Sequence, residues 1–363
     1  MRCASLHRGG TVSRPAPAVS YRDRRFLTRP SADVHGRRTD AALAQPHPRL
    51  LELAEWLTPA LYVDLGRPCN SACLYCAVPP HEDAQGFAPL DQVEAMAAAG
   101  QAVGCDRAIL IGGEPTIYPQ LQGLLEMLAR LGLNRHVCMT NGLRLADPLM
   151  VQQLLAGGVA TIHLSLDTWD EATYDALSRS TGRLTRQIQA LDNVLAEPRL
   201  NLYIYTALTA LNAPTLPELL RQLAGRAEAQ GVQPPPLVLA VVKPLGDALR
   251  HADQLLIDPQ VAAQKVSELV TLGDQLGVVV GHRNLQACLA PELVSRSVDY
   301  YLDDFAVDVA SGARLPFGHS EYWFHPPGCD GCGHRALCPG LYRETIKRFG
   351  QAPYRAIERQ GIV

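Results

Sequence analysis

The chain is predicted to be an α/β protein built on a parallel sheet, with a small cysteine-bearing extension on its C-terminal side. Two observations predict this. Apolar runs of strand length alternate with longer stretches of helical periodicity between residues 61 and 242, and repeated strand-helix units connect parallel strands. Several of the runs are followed at once by glycine or Asn-Gly turns with polar neighbours, the place beyond the carboxyl ends of strands where parallel α/β folds put their sites. Six units are too few to close an eight-stranded barrel.

In order along the chain, residues 1 to about 48 mix Pro, Arg, Ser and Gly without periodicity and are expected to be disordered and without chemistry. Arg24-Arg25-Phe26-Leu27 is faintly similar to a twin-arginine export signal, but Thr28-Arg29-Pro30 stands where the apolar segment belongs. An amphipathic helix follows over Arg49–Leu57. Strands are expected at Leu61–Leu65, Arg107–Ile111, His136–Thr140, Thr161–Asp167, Asn201–Leu208 and Leu237–Val242. Helices between them include Gln120–Leu131, Pro148–Ala156, Leu184–Leu195 and Leu216–Gln230. A helix near Pro259–Gln275, a strand Val278–Val280 and a hairpin around Ala310-Ser311-Gly312 lead to the last cysteines. The expected divisions are residues 1–48, a barrel over 49–255 and a C-terminal unit over 256–363.

With 363 residues and 47% hydrophobic content, the chain can bury a large core. Its formal net charge is -3, but residues 1–50 carry ten Arg against three Asp, which leaves about -10 on the remainder and argues against a nucleic-acid-binding body. No run of 18 or more apolar residues occurs, so no membrane span is expected, and the protein is read as cytoplasmic. Ten cysteines in such a chain point to metal or catalysis rather than to disulfides.

The first constellation is Cys69-Asn70-Ser71-Ala72-Cys73-Leu74-Tyr75-Cys76, three thiols in eight residues directly after the first strand. A single short loop can bring three thiolates to three corners of an iron-sulfur cube, and one iron then lacks a protein ligand. A zinc knuckle completed by a nearby residue such as His81 is the alternative. Gly112-Gly113-Glu114-Pro115-Thr116 follows the second strand, and its glycines allow close backbone approach.

The C-x3-C-x2-C loop with Tyr75 before its last cysteine resembles the cluster loop of the radical S-adenosylmethionine (radical SAM) enzymes, and Gly112-Gly113-Glu114-Pro115 resembles their GGEP motif. The resemblance implies an open (β/α)6 partial barrel and a [4Fe–4S] cluster held by Cys69, Cys73 and Cys76. It also implies SAM bound on the open iron, with its amino group near the GGEP backbone and Glu114. Thr140-Asn141-Gly142 and Ser165-Leu166-Asp167 resemble positions lining the SAM ribose and carboxylate, and residues 241–246 resemble the adenine-packing segment.

Cys329, Cys332 and Cys338 make a C-x2-C-x5-C spacing that resembles the auxiliary-cluster part of SPASM and twitch extensions, with Cys288 upstream. Where SPASM domains continue with another cysteine, this chain has Tyr342. One auxiliary [4Fe–4S] cluster is therefore implied, its fourth ligand either Cys288 or absent, with structural zinc as the alternative. The family's chemistry is reductive cleavage of SAM to a 5′-deoxyadenosyl radical that abstracts hydrogen, fed by an electron donor such as flavodoxin or ferredoxin. Peptide maturation is the leading expectation for the substrate, and small-molecule metabolism the alternative. A non-catalytic zinc or iron-sulfur scaffold is the reading of another class, against which the GGEPT loop stands.

Strand alternation separates two faces. Ile162, Leu164 and Leu166 oppose His163, Ser165 and Asp167; Leu202, Ile204 and Leu208 oppose Tyr203 and Tyr205; Leu61, Val63 and Leu65 oppose Tyr62 and Asp64. Helices on the outside require apolar partners, so the polar stripes are expected inside, with Tyr205 and His163 as candidate catalytic residues.

Overall fold

The structure, a computed structural model, describes residues 25–29, 47–56, 60–77, 86–102, 104–299, 303–307, 314–316, 323–335, 338 and 340–357. Seven parallel strands form its centre: β2 (Ala60–Asp64), β3 (Arg107–Ile111), β4 (His136–Thr140), β5 (Val159–Ser165), β6 (Asn201–Leu208), β7 (Leu237–Val241) and β8 (Val280–Arg283). They pair in sequence order from β2 to β8. The expected count of six rises by one because β8 joins the parallel array. That strand begins two residues later than expected: Gly277, at φ 71°, closes the preceding helix, and the Val278 N–H bonds back to the Gly273 carbonyl at 2.8 Å.

A larger departure lies at the other edge. Arg25–Arg29, inside the segment expected to be disordered, form β1, antiparallel to β2 through Leu27↔Leu61 and Thr28↔Ala60. β1 also pairs along its length with β9 (Asp303–Val307), which carries β10 (Arg314–Pro316) beyond it. A five-residue strand between charged residues has too few positions to show a period. Its strandedness comes from two waiting sheet edges. The hairpin turn expected at Ala310-Ser311-Gly312 and the candidate ligand His81 lie outside the described residues.

Helices α1 (Pro48–Trp56), α2 (Leu90–Ala102), α3 (Leu121–Arg130), α4 (Pro148–Ala156), α5 (Glu171–Ser178), α6 (Leu184–Leu195), α7 (Leu216–Ala229), α8 (Gly246–Arg250), α9 (Ala252–Leu255), α10 (Pro259–Leu276) and α11 (Arg343–Phe349) complete the main elements. Their starts are encoded locally. Asp147 accepts from the Leu149 N–H at 3.0 Å ahead of Pro148, and Asp258 from Gln260 and Val261 ahead of Pro259. α2 and α5 were not anticipated individually; α2 is rich in alanine, so few large apolar residues mark its face.

The two strand faces separate as alternation requires. Leu61, Val63, Ile162, Leu164, Leu202 and Ile204 belong to the core shared with helix residues such as Leu124, Leu154, Leu191 and Val266. The opposite face holds Tyr62, Met139, Tyr203 and Tyr205, but it is not polar throughout. Leu50 and Leu53 of α1 pack with Ala60, Ile109, Val137, Tyr203 and Val238 and close off one end of the barrel. The polar interior is thus confined to the strands' carboxyl ends, because the opposite end is occupied by an apolar plug.

Candidate metal centre

The cysteine loop leaves β2 under tight local control. Asp64 accepts from the Gly66 N–H at 3.0 Å and from the Arg67 guanidinium at 2.9 and 3.0 Å, and Arg67 is buried. The glycine pair after β3 then docks on it. The Gly113 N–H donates to the Gly66 carbonyl at 2.7 Å and the Glu114 N–H to the Pro68 carbonyl at 3.0 Å. A Cβ on Gly113 would stand 2.1 Å from the Pro68 oxygen, so here the missing side chain serves loop-on-loop packing.

Glu114 faces inward. Its Oε1 accepts from the Thr116 N–H (3.0 Å) and from the hydroxyls of Thr116 (2.5 Å) and Thr140 (2.6 Å), while Oε2 accepts from the Asn141 N–H (2.8 Å). Burial raises its pKa and these donors lower it. The carboxylate is committed to tying the loops after β3 and β4 together, and Pro115 opens the short turn Pro115–Ile117 that it caps. Asn141 continues the chain of contacts, with Nδ2 2.7 Å from Asn70 Oδ1 and 3.9 Å from Cys69 Sγ. Gln187 of α6 donates to the carbonyls of both Asn141 (2.7 Å) and Ser165 (3.1 Å), a clamp that no sequence motif announced.

Across the loop, the Tyr75 hydroxyl donates to Asp167 Oδ2, and the Ala207 N–H donates to Oδ1 at 2.7 Å. Burial pushes the Asp167 carboxyl up to about 6 and the Tyr75 phenol well above its ordinary value. Two further contacts pin the loop from outside: Leu74 N–H to the Leu177 carbonyl at 2.8 Å, and Asp247 N–H to the Cys76 carbonyl at 2.9 Å. Gly246, in the segment expected to pack adenine, sits with its Cα side against the Cys76 and Ala77 carbonyls.

Cys69, Cys73 and Cys76 are free thiols. Burial pushes Cys69 up to about 12, with Glu114, Cys73 and Cys76 adding repulsion. A buried thiol whose ionisation its two neighbours oppose suits a site where bound iron supplies the compensating positive charge. The charge argument therefore fits a cluster in the loop.

The second group is brought together more fully than the sequence determined. Cys288, Cys329, Cys332 and Cys338 line one cavity with His325, His334, Arg335 and Tyr354. Cys329 and Cys332 lie close enough to Cys288, and all three to Cys338, to raise the pKa of Cys288 and of Cys338; burial is the larger cause, taking Cys288 to about 11 and Cys338 to about 12. Four gathered thiols match the full ligand count of a cubane, so Cys288 is the structure's candidate for the fourth position. Cys138 and Cys105 are buried singly in the apolar core. Among the described residues, no set of three or more His, Cys, Asp or Glu side chains is gathered around a single-ion position.

Between the two thiol groups runs a half-buried polar seam. Arg283 Nε pairs with Asp299 Oδ1 at 2.9 Å, and the Asn284 N–H, at φ 60°, donates to Oδ2. Tyr205 and Tyr342 both sit within the field of this pair, and burial raises both phenols. Tyr342, standing where SPASM domains carry another cysteine, is 8% exposed in the short strand β11 (Leu341–Tyr342). His163 is 4% exposed, edge-on to Tyr203 at 5.7 Å, and neither ring nitrogen has a hydrogen-bond partner. Burial lowers its pKa to about 4, so it is neutral at pH 7.

Residues 63–223 match the family model described as the Radical SAM superfamily. The chain is 34% identical over 131 residues to GTP 3′,8-cyclase 1 of Pseudomonas aeruginosa, covering 34% of this chain and 38% of that protein. It is 31% identical over 140 residues to GTP 3′,8-cyclase of Rhodopirellula baltica, covering 37% and 38% respectively. Thus it spans about four-tenths of the length of these relatives. Among solved structures it resembles Streptococcus suis SuiB bound to S-adenosylmethionine at 18% identity and TM-score 0.50, covering 64% of this chain and 54% of that one. The FeFe-hydrogenase maturase HydG from Carboxydothermus hydrogenoformans gives 14% identity and TM-score 0.51, covering 66% and 56%.

Proposed function

We propose that the chain, whose residues 63–223 match the radical SAM superfamily model, cleaves SAM reductively and turns the resulting radical on a small molecule. A cluster with bound SAM supplies the 5′-deoxyadenosyl radical; the residues supply position, charge and exclusion of water. Cys69, Cys73 and Cys76 would hold that cluster, and Cys288, Cys329, Cys332 and Cys338 an auxiliary one. The observation that carries the reading is the convergence of the cysteine loop, the Gly112-Gly113-Glu114 turn and Asn141 through direct hydrogen bonds at one end of the barrel.

Because the Glu114 carboxylate already accepts four hydrogen bonds, the SAM amino group is assigned to the backbone carbonyls of its loop. Ser165 and Asp167 face the same end, with Asp167 oriented by Tyr75 and the Ala207 N–H. Tyr205 and the neutral, unpartnered His163 are proposed to contact substrate, since a buried imidazole with both nitrogens unsatisfied is unusual without a ligand. The expected peptide substrate has less support than the small-molecule alternative, because the sequence relatives carry the name GTP 3′,8-cyclase. Purine nucleotides are therefore the first class to test.

Anaerobically reconstituted protein with dithionite and SAM should form 5′-deoxyadenosine, and the Cys69/Cys73/Cys76 triple alanine variant should not. Absence of product from wild type overturns the reading. With GTP and related nucleotides present, a new product should appear alongside 5′-deoxyadenosine. Tyr205→Phe and His163→Ala should lower it while cluster content and melting temperature hold. Turnover of a peptide in place of every nucleotide would return the substrate to the peptide class.

A further inference from the structure

Helix α6 turns one apolar stripe toward the core, made of Leu184, Ala190, Leu191, Val194 and Leu195. Position 187 falls in that stripe, three residues after Leu184 and three before Ala190, where helical periodicity calls for an apolar side chain. The residue there is a glutamine, 5% exposed. Burying an amide costs free energy unless its polar atoms find partners. Nε2 has two, the carbonyls of Asn141 and Ser165 at 2.7 and 3.1 Å, and Oε1 has none among the described residues. Exchanging the two atoms would aim an acceptor at two acceptors, so the partners fix the orientation of the amide. An apolar residue would fill the stripe with no oxygen left unsatisfied, but it would leave both carbonyls without that donor. Packing does not account for the glutamine; the bridge does.

The bridge lies where the sheet comes apart. Pairing between β4 and β5 ends at Thr140↔Leu164, and Asn141 and Ser165 are the next residues on each side. The chain then turns away from β4 at Gly142, φ 77°. With no further ladder bond between the two segments, the Gln187 amide joins them in place of backbone. It grips one peptide unit in each, and both units are also held through their N–H groups. Gly142 N–H donates to Thr140 Oγ1 at 3.0 Å and Leu166 N–H to the Tyr205 carbonyl at 3.2 Å. The same helix holds the rest of the segment after β4, through Arg186 on the Leu143 carbonyl at 3.1 Å and Asn193 on the carbonyls of Leu145 and Ala146 at 2.8 and 3.0 Å.

We propose that Gln187 is a positioning residue for SAM: by setting the distance between Asn141 and Ser165, it sets the width of the site that would receive the ribose and carboxylate. Gln187 acts through those two residues, and the proposal rests on the function proposed above. Loss of the bridge lets the segments after β4 and β5 move apart, so SAM binds more weakly while the chemical step on bound SAM is nearly unchanged.

The test uses three variants of the full chain. Gln187→Met keeps the length of the side chain and removes its donors. Gln187→Glu keeps the shape and puts an acceptor against both carbonyls. Gln122→Met makes the first change at an exposed glutamine of α3, whose amide lies on Glu126. In reconstituted protein with dithionite, KM for SAM in 5′-deoxyadenosine formation should rise at least about fivefold in both Gln187 variants while kcat stays within about twofold. Iron content should equal that of wild type, and Gln122→Met should match wild type throughout. A second measurement needs neither metal nor SAM. In metal-free protein the amides of Gly142 and Leu166 should exchange with deuterium at least about tenfold faster in Gln187→Met. The Ile204 amide, bonded to the Pro236 carbonyl at 2.9 Å, should keep its rate. Unchanged KM in both variants, loss of kcat and iron together, unchanged exchange, or loss of soluble protein in both variants would overturn the proposal. Absence of 5′-deoxyadenosine from wild type would remove the function proposed above and this role with it, while the exchange result would still show whether the bridge holds the two segments.

Discussion

His136 shows how a single residue sets the protein's response to acid. It is fully buried on β4, its Nδ1 accepts from the Ala108 N–H at 3.3 Å, and burial lowers its pKa to about 4. In the unfolded chain an imidazole titrates near 6.5. Above that pH both states are neutral and the residue's contribution to stability is complete. As the pH falls from 6.5 toward 4 the unfolded chain takes the proton first, so stability drops by about 1.4 kcal/mol per pH unit from this group. His136→Gln should therefore lose about 1.4 kcal/mol less than wild type between pH 7.5 and 5.5, measured by denaturant unfolding. Equal losses would mean that the imidazole finds a proton at no cost inside the fold. Gly113 is the complementary case, a residue chosen for what it lacks: the 2.1 Å approach to the Pro68 oxygen leaves no room for a methyl group. The motif was legible as Gly-Gly-Glu-Pro, but not that its second glycine and its Glu114 carboxylate serve the cysteine loop and Asn141. A one-dimensional pattern gives no direction to a side chain.

At the scale of elements, the two cysteine groups behave as separate modules. The first sits on a loop of eight residues pinned by β3, α5 and α8, and the second is assembled from Cys288 after β8 and the Cys329–Cys338 turn. Nothing local joins them. The triple alanine variant at Cys69, Cys73 and Cys76 should thus retain about four iron atoms per chain, read by iron analysis. Adding Cys288→Ala should reduce that iron, since the structure gathers Cys288 with the other three. One zinc per chain and no iron in the triple variant would assign the second group to structure. The sequence offered Cys288 only as one of two possibilities, because the residues between it and Cys329 carry no spacing signal. Its place was decided by β8 ending where it does, beside the C-terminal turn.

For the whole molecule, the most consequential element is one that composition argued against. β1 is inserted between β2 and β9 and joins the barrel to the C-terminal hairpin. A chain starting at residue 30 should lose amide hydrogen-exchange protection in both Ala60–Asp64 and Asp303–Val307, while β5 and β6 stay protected. Unchanged protection at both edges would mean that β2 and β9 do not depend on it. No helix among the described residues is long and apolar enough to cross a membrane. The sequence by itself determined the strand-helix order, three of whose strands match at both ends and a fourth at its start, and the placement of the cysteine and glycine motifs just beyond strands. It could do so because hydrophobic period, caps and turns act over a few residues. It also separated the two strand faces correctly. Only the tertiary structure decided that α1 plugs one end of the barrel, that Arg25–Arg29 become a strand, that β8 makes seven, and that Tyr205, Arg283, Asp299 and Tyr342 form one seam between the thiol groups. Those outcomes depend on partners far away in sequence, and burial, pairing and charge between distant segments have no local signature.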